Sequence, residues 1–137
     1  MNWTPRRQRF RQILAGNDCI IPATVFDPLS ARMVEDLGGK VGMLAGSVAA
    51  MAILGAPDKM LITASEFADM ALRICRAGDL AVIADADHGY GNAMNVQRTI
   101  RDLDHAGLAA ITIEDTKLNA QSYIEQAGLV LDKSTLD

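Results

Sequence analysis

The sequence predicts an α/β chain with a parallel sheet, and three observations lead there. One unit recurs along the 137 residues: a stretch of helical periodicity, a glycine stop (Gly38, Gly78, Gly107), then a short apolar run. The runs from the second onward close on polar residues, Ser47, Asp85 with Asp87, and Glu114. Helices alternating with buried strands imply parallel pairing with right-handed crossovers. Such sheets gather ligands at the carboxyl ends of their strands.

The elements follow in order. Thr4 and Pro5 read as N-cap and first-turn proline of a helix that Gly16 stops. Its Arg6, Arg7, Arg9 and Arg11 read as a solvated face with intramolecular acidic partners. Cys19 to Phe26 suits a first strand, with Pro22 in its middle. Asp27-Pro28 caps a helix whose apolar positions Leu29, Met33 and Leu37 lie four apart, and Gly38-Gly39 ends it. Val41 to Gly46 is the second strand, finishing at Ser47.

A short helical stretch runs to Leu54, and Gly55-Ala56-Pro57-Asp58 makes a turn. Thr63 and Glu66 form a capping box, followed by Phe67, Met70, Ala71 and Ile74 at the spacing of one helix face, closed by Gly78. Leu80 to Ala84 is the third strand and runs into Asp85-Ala86-Asp87. Val96, Ile100 and Leu103 mark another helix, and Leu108 to Ile113 the fourth strand. From Lys117 on the rhythm is lost. The expected organisation is one partial domain: a helix over 4–16, four βα-type units over 19–116 and a divergent C-terminal tail over 117–137.

Composition narrows the function. Hydrophobic residues make up 50% and charged residues 22%, the mixture of a folded domain. A net charge of −4 argues against a nucleic-acid surface. No apolar run approaches the roughly 18 residues of a membrane span, and the N-terminus lacks a signal-peptide core, so a cytoplasmic location is expected. Cys19 and Cys75 read as two buried thiols, and Met33, Met43, Met51, Met60 and Met70 as core filler. His105, beside Asp104 at a helix end, reads as a favourable C-terminal charge.

The chemistry concentrates in Ile83-Ala84-Asp85-Ala86-Asp87-His88-Gly89-Tyr90-Gly91-Asn92. In an extended strand Asp85 and Asp87 point to the same side. Two such carboxylates repel unless a cation sits between them or one takes a proton. Glu114 holds the same position one strand later and offers a third carboxylate. Oxygen-only ligands select Mg²⁺, with Mn²⁺ as the alternative, over zinc. The competing readings are helix-capping turn aspartates and, for Glu114, an ordinary ion pair. His88 either tunes this site or shapes the turn.

These residues carry a resemblance. Asp85-Ala-Asp87-His-Gly-Tyr90-Gly91-Asn92, Ser47 in Leu-Ala-Gly-Ser-Val-Ala, Ala56-Pro57-Asp58 and Ile113-Glu114-Asp115 resemble the isocitrate lyase and phosphoenolpyruvate mutase superfamily. With Val25-Phe26-Asp27-Pro28-Leu29-Ser30-Ala31-Arg32, they are most similar to its oxaloacetate decarboxylase branch, over roughly residues 8 to 121. The resemblance implies the N-terminal half of a (β/α)₈ barrel, truncated after about four units, because a closed barrel typically takes about 250 residues. It implies Mg²⁺ and a small 2-oxo acid as cofactor and substrate. Asp85 would be the direct metal ligand, with Asp87, Glu114 and Asp58 holding metal-bound waters. Ser47, with backbone groups around Gly46, would bind the substrate carboxylate, and Tyr90, Gly91 and Asn92 would shape the pocket.

The implied activity is Mg²⁺-dependent decarboxylation of oxaloacetate to pyruvate and CO₂ through a stabilised enolate. Cleavage of isocitrate-type substrates is disfavoured, since 117–137 carries neither the Cys nor the His of the loop those lyases use. Other C–C lyase or phosphonate-forming chemistry of the superfamily is a second alternative. A third is an inactive fragment that binds metal or self-associates through open sheet edges. A flavodoxin-like receiver domain leaves Glu114 unexplained.

Overall fold

A proline in the first turn starts helix α1 (Thr4–Ala15), and the Asn2 side chain accepts a hydrogen bond from the Thr4 N–H at 3.1 Å. Trp3, not Thr4, occupies the N-cap, because Thr4 has already entered the helix. The structure, a computed structural model, describes residues 1–115, so the tail over 117–137 lies outside the described residues. Beyond α1 the chain runs β1 (Ala23–Thr24), α2 (Pro28–Asp36), β2 (Val41–Leu44), α3 (Gly46–Leu54), α4 (Ala64–Cys75), β3 (Ala81–Asp85), α5 (Ala93–Ala106) and β4 (Ala110–Thr112). The strands form one parallel sheet in the order β1-β2-β3-β4, each beside its neighbour in sequence. This is the arrangement of successive barrel strands.

Local chemistry accounts for the helix starts. The Asp27–Ser30 and Thr63–Glu66 capping boxes open α2 and α4, and Asn92 with Asn95 forms a third that opens α5. The two Thr63 hydrogen bonds, backbone and hydroxyl, hold the Glu66 carboxyl below its ordinary range. α5 ends on Gly107 at φ 99°, a left-handed turn that excludes a side chain twice over, since a Cβ there would stand 2.7 Å from the Trp3 ring. Gly78 lies beyond its helix: α4 is capped by Arg76 in ordinary right-handed geometry.

Alternation along β3 divides the interior. Val82 and Ala84 pack with Phe67, Ile74 and Leu103 of α4 and α5, while Ala81 joins Phe10 of α1 with half-buried Ile13 and Ile83 beside them. Asp85 continues the Ala81–Ile83 row to the carboxyl end of the strand.

Three expectations are corrected here. Arg6 is not on a solvated face: it is 3% exposed, and its guanidinium donates to the carbonyls of Gly107 at 3.2 Å, Cys75 at 2.7 Å and Gly78. Arg7 and Arg9 likewise donate to the Leu108 and Asp79 carbonyls, and Arg7 also has the acidic partner the sequence suggested, Asp104 at 2.9 Å. The row Leu29, Met33 and Leu37 faces outward, because α2 turns Ala31 and half-buried Val34 to the core. Cys75 is buried but Cys19 is exposed, and of the five methionines only Met70 joins the core, with Met33 and Met51 exposed.

Replacing Arg6 by Lys leaves the Gly107 carbonyl without its donor, because one ammonium cannot span both arms of the fork. Thermal and urea unfolding of Arg6→Lys are expected to show a loss of about 2 kcal/mol.

Candidate metal centre

β2, β3 and β4 end side by side, so the residues after them share one rim. Asp85 lies opposite Thr112 in the β3–β4 register, and the Ala86 N–H donates to the Thr112 carbonyl at 3.0 Å. The Glu114 N–H then donates to the Asp87 carbonyl at 2.7 Å, which pins Glu114 beside Asp87. The Asp87 N–H turns back to Asp85 Oδ1 at 3.2 Å. Asp87 adopts φ 46°, a left-handed conformation that costs a non-glycine residue of order 1 kcal/mol.

Gly46 supplies the other wall. β2 stops at Leu44, so Gly46 and Ser47 fall in the first turn of α3 instead of at the end of the strand as the sequence suggested. A Cβ at Gly46 would stand 3.0 Å from Asp87 Oδ1. Ala45, the N-cap, has no side-chain acceptor to offer, so no cap hydrogen bond covers the amide end of α3 beside the Asp87 carboxylate.

Asp87 is the electrostatic centre of this rim. Desolvation first, then the charges of Asp58, Asp85 and Glu114, push its carboxyl up to about 6. Its Oδ2 is buried and has no hydrogen-bond partner. Thus the charges of Asp58, Asp85 and Glu114 all bear on Asp87, and Gly46 closes against its carboxylate. Ser47 is exposed and lines a groove of about 870 Å³ between α2, α3 and α4 with Phe26, Val48 and Met51.

A hard divalent cation fits this donor set. The donors are carboxylate oxygens, they repel one another, and one buried oxygen lacks a partner. Among the described residues no three His, Cys, Asp or Glu side chains group closely enough to hold an ion between them. A cation here would therefore take few direct protein ligands and complete its shell with water, as Mg²⁺ does.

For two further residues of the rim, His88 and Tyr90, the structure adds what the sequence did not carry. His88 Nδ1 and the Tyr90 hydroxyl are also buried without partners, and Tyr90 sits at φ 64°. The sequence signal for them was the flanking pair Gly89 and Gly91, which announces an unusual backbone but not buried polar atoms.

The fold and the rim define a parallel barrel-type α/β chain with an acidic site at the strand ends. The phosphoenolpyruvate phosphomutase family model matches residues 10–134, and the chain belongs to that family, within the phosphoenolpyruvate mutase and isocitrate lyase superfamily. Oxaloacetate decarboxylase 1 of Pseudomonas fluorescens (strain Pf0-1) is 63% identical over 115 residues, which are 84% of this chain and 40% of that protein. The chain thus spans about 40% of the length of the curated relatives it matches. The solved phosphoenolpyruvate phosphomutase of Streptomyces platensis subsp. rosaceus superposes with a TM-score of 0.75 at 34% identity, over 82% of this chain and 40% of that one. A phosphonopyruvate hydrolase solved with oxalate and Mg²⁺ gives 0.75 at 27% identity, over the same shares.

Two outcomes follow for the metal-free chain. Because the folded state holds the Asp87 proton more tightly than the unfolded chain, ionisation of this group costs stability: the cost is absent below pH about 4 and complete above about 6. In a chelator, Asp87→Asn is expected to remove that slope and to melt a few degrees higher than the parent at pH 7. Gly46→Ala improves the helix propensity of α3, yet it crowds Asp87 Oδ1, so Mg²⁺ should raise its melting temperature far less than that of the parent. Differential scanning fluorimetry with and without Mg²⁺ reads both.

Proposed function

We propose that this chain carries the cation-holding part of a site for Mg²⁺-dependent decarboxylation of oxaloacetate to pyruvate and CO₂. The observation that carries this is Asp87: half-buried, with a buried Oδ2 that has no partner, and within reach of the charges of Asp58, Asp85 and Glu114. Similarity to a relative named oxaloacetate decarboxylase supports the choice of substrate. The oxalate and Mg²⁺ bound by a related hydrolase support a small dicarboxylate or 2-oxo acid beside a divalent ion.

In this reading Asp85 holds the ion directly, and Asp87, Glu114 and Asp58 hold its waters. Bound Mg²⁺ supplies a Lewis acid that stabilises negative charge on a keto oxygen. The chain's own groups do the rest. The backbone N–H groups at Gly46 and Ser47 and the Ser47 hydroxyl receive the carboxylate next to the keto group, at the amide end of α3. So held, the substrate breaks its C3–C4 bond: the electron pair moves into the C2–C3 bond, CO₂ leaves, and C3 is later protonated. Charge that grows on the keto oxygen is met by fixed groups, so the bond-breaking state gains more than the ground state.

A second reading has its own support. β1 and β4 are the sheet edges among the described residues, each without a partner on its outer side. Unpaired edges favour association between copies, so a chain that binds Mg²⁺ and self-associates without turnover is the alternative.

The purified chain, assayed for pyruvate release above the spontaneous rate, is expected to respond to Mg²⁺ and to lose at least a hundredfold in Asp85→Ala. Equal rates for the two proteins would leave only the metal-binding reading, which sedimentation with and without Mg²⁺ then examines.

A further inference from the structure

The loop from β3 to α5 holds three buried polar atoms without partners, Asp87 Oδ2, His88 Nδ1 and the Tyr90 hydroxyl, and the first and last complement each other. Asp87 Oδ2 is an acceptor with no donor, and the Tyr90 hydroxyl is a donor with no acceptor. Two residues separate them in sequence, in a turn closed by the Gly89 N–H donating to the Ala86 carbonyl at 2.9 Å. The buried Thr99 hydroxyl of α5 donates to the Gly89 carbonyl at 3.0 Å and holds the turn from below. Both Asp87 and Tyr90 adopt left-handed backbone, which persists only where the surroundings enforce it.

The Tyr90 ring is fixed as well. It packs 6.0 Å from the Phe67 ring of α4, itself fully buried, and 6.0 Å from the His88 ring. The residue is half-buried, and its hydroxyl oxygen lies out of reach of solvent. Burial and the nearby Asp87, Asp85 and Asp58 charges keep the phenol protonated, hence always a donor. Leaving a buried donor and a buried acceptor both unmade is costly, and one water joining two such atoms removes that cost.

We propose that Tyr90 is a positioning residue for the cation site: its hydroxyl, through one buried water, holds the Asp87 carboxylate in the orientation that a divalent ion requires. This rests on the reading of the strand-end rim as a Mg²⁺ site. Groups one step removed from an ion commonly change its affinity tenfold or more by orienting those that touch it.

Tyr90→Phe keeps the ring against Phe67 and removes only the hydroxyl, so it separates positioning from packing. Titration calorimetry of the full chain with MgCl₂ is expected to show an affinity about tenfold weaker than the parent's. Its melting temperature in a chelator is expected to fall by a few degrees, since the water-mediated bond to Asp87 Oδ2 is lost. If the chain turns over oxaloacetate, the Mg²⁺ concentration for half-maximal rate should rise tenfold while kcat at saturating Mg²⁺ stays near the parent's. Unchanged Mg²⁺ affinity overturns the proposal, whatever the melting temperature does. A parent chain that binds Mg²⁺ without releasing pyruvate removes the decarboxylase reading but leaves the Tyr90 comparison intact. A parent that binds no Mg²⁺ removes both.

Discussion

One guanidinium sets the frame on which the acidic rim depends. Arg6 draws together the carbonyls of Cys75, Gly78 and Gly107, which lie just ahead of β3 and β4. With the amino ends of those strands tied to α1, their parallel register carries through to the far end. There Asp85 meets Thr112, and the Glu114 amide reaches the Asp87 carbonyl. Burial lowers the pKa of Arg6, yet the group remains the strongest multiple donor the chain has to offer. The Trp3 ring, 4.8 Å from the guanidinium, covers the cluster, and its indole N–H is satisfied by the His105 carbonyl.

The rim at the opposite end is built the other way. Where Arg6 satisfies its neighbours, Asp87 is left with an unanswered oxygen, three like charges around it and a strained backbone. Such a combination is tolerated only because the strands beneath it are well packed, with Val82 and Ala84 almost wholly enclosed. A fold that stores local cost at one edge and recovers it in its core is a common arrangement for sites that await a charged ligand.

Much of the frame was legible in the sequence. Glycine stops and apolar runs gave the alternation, and the Thr63–Glu66 and Asp27 caps opened helices where the residues said they would. That Asp85 and Glu114 fall at neighbouring strand ends follows from the alternation, but β3 stops at Asp85 and Asp87 reaches the rim through a left-handed turn that period-two geometry does not describe. What local pattern could not carry was direction across the chain. A row such as Leu29, Met33 and Leu37 has helical spacing whichever way it faces, and only the packing of Ala31 reveals that it faces out. Four arginines in one helix look alike in sequence, but the one that meets three helix-end carbonyls is buried. Strand length was overestimated for the same reason: Pro22 and the early turn into α3 cut β1 and β2 short.

The two thiols differ in a way that makes the molecule convenient to watch. Cys75 lies in the core, where burial pushes its thiol up to about 11, while Cys19 stands open to solvent just ahead of the sheet. Maleimide dyes and spin labels attack the thiolate form of accessible sulfur. The native chain therefore offers a single attachment point for a reporter, remote from the rim, without any engineered cysteine.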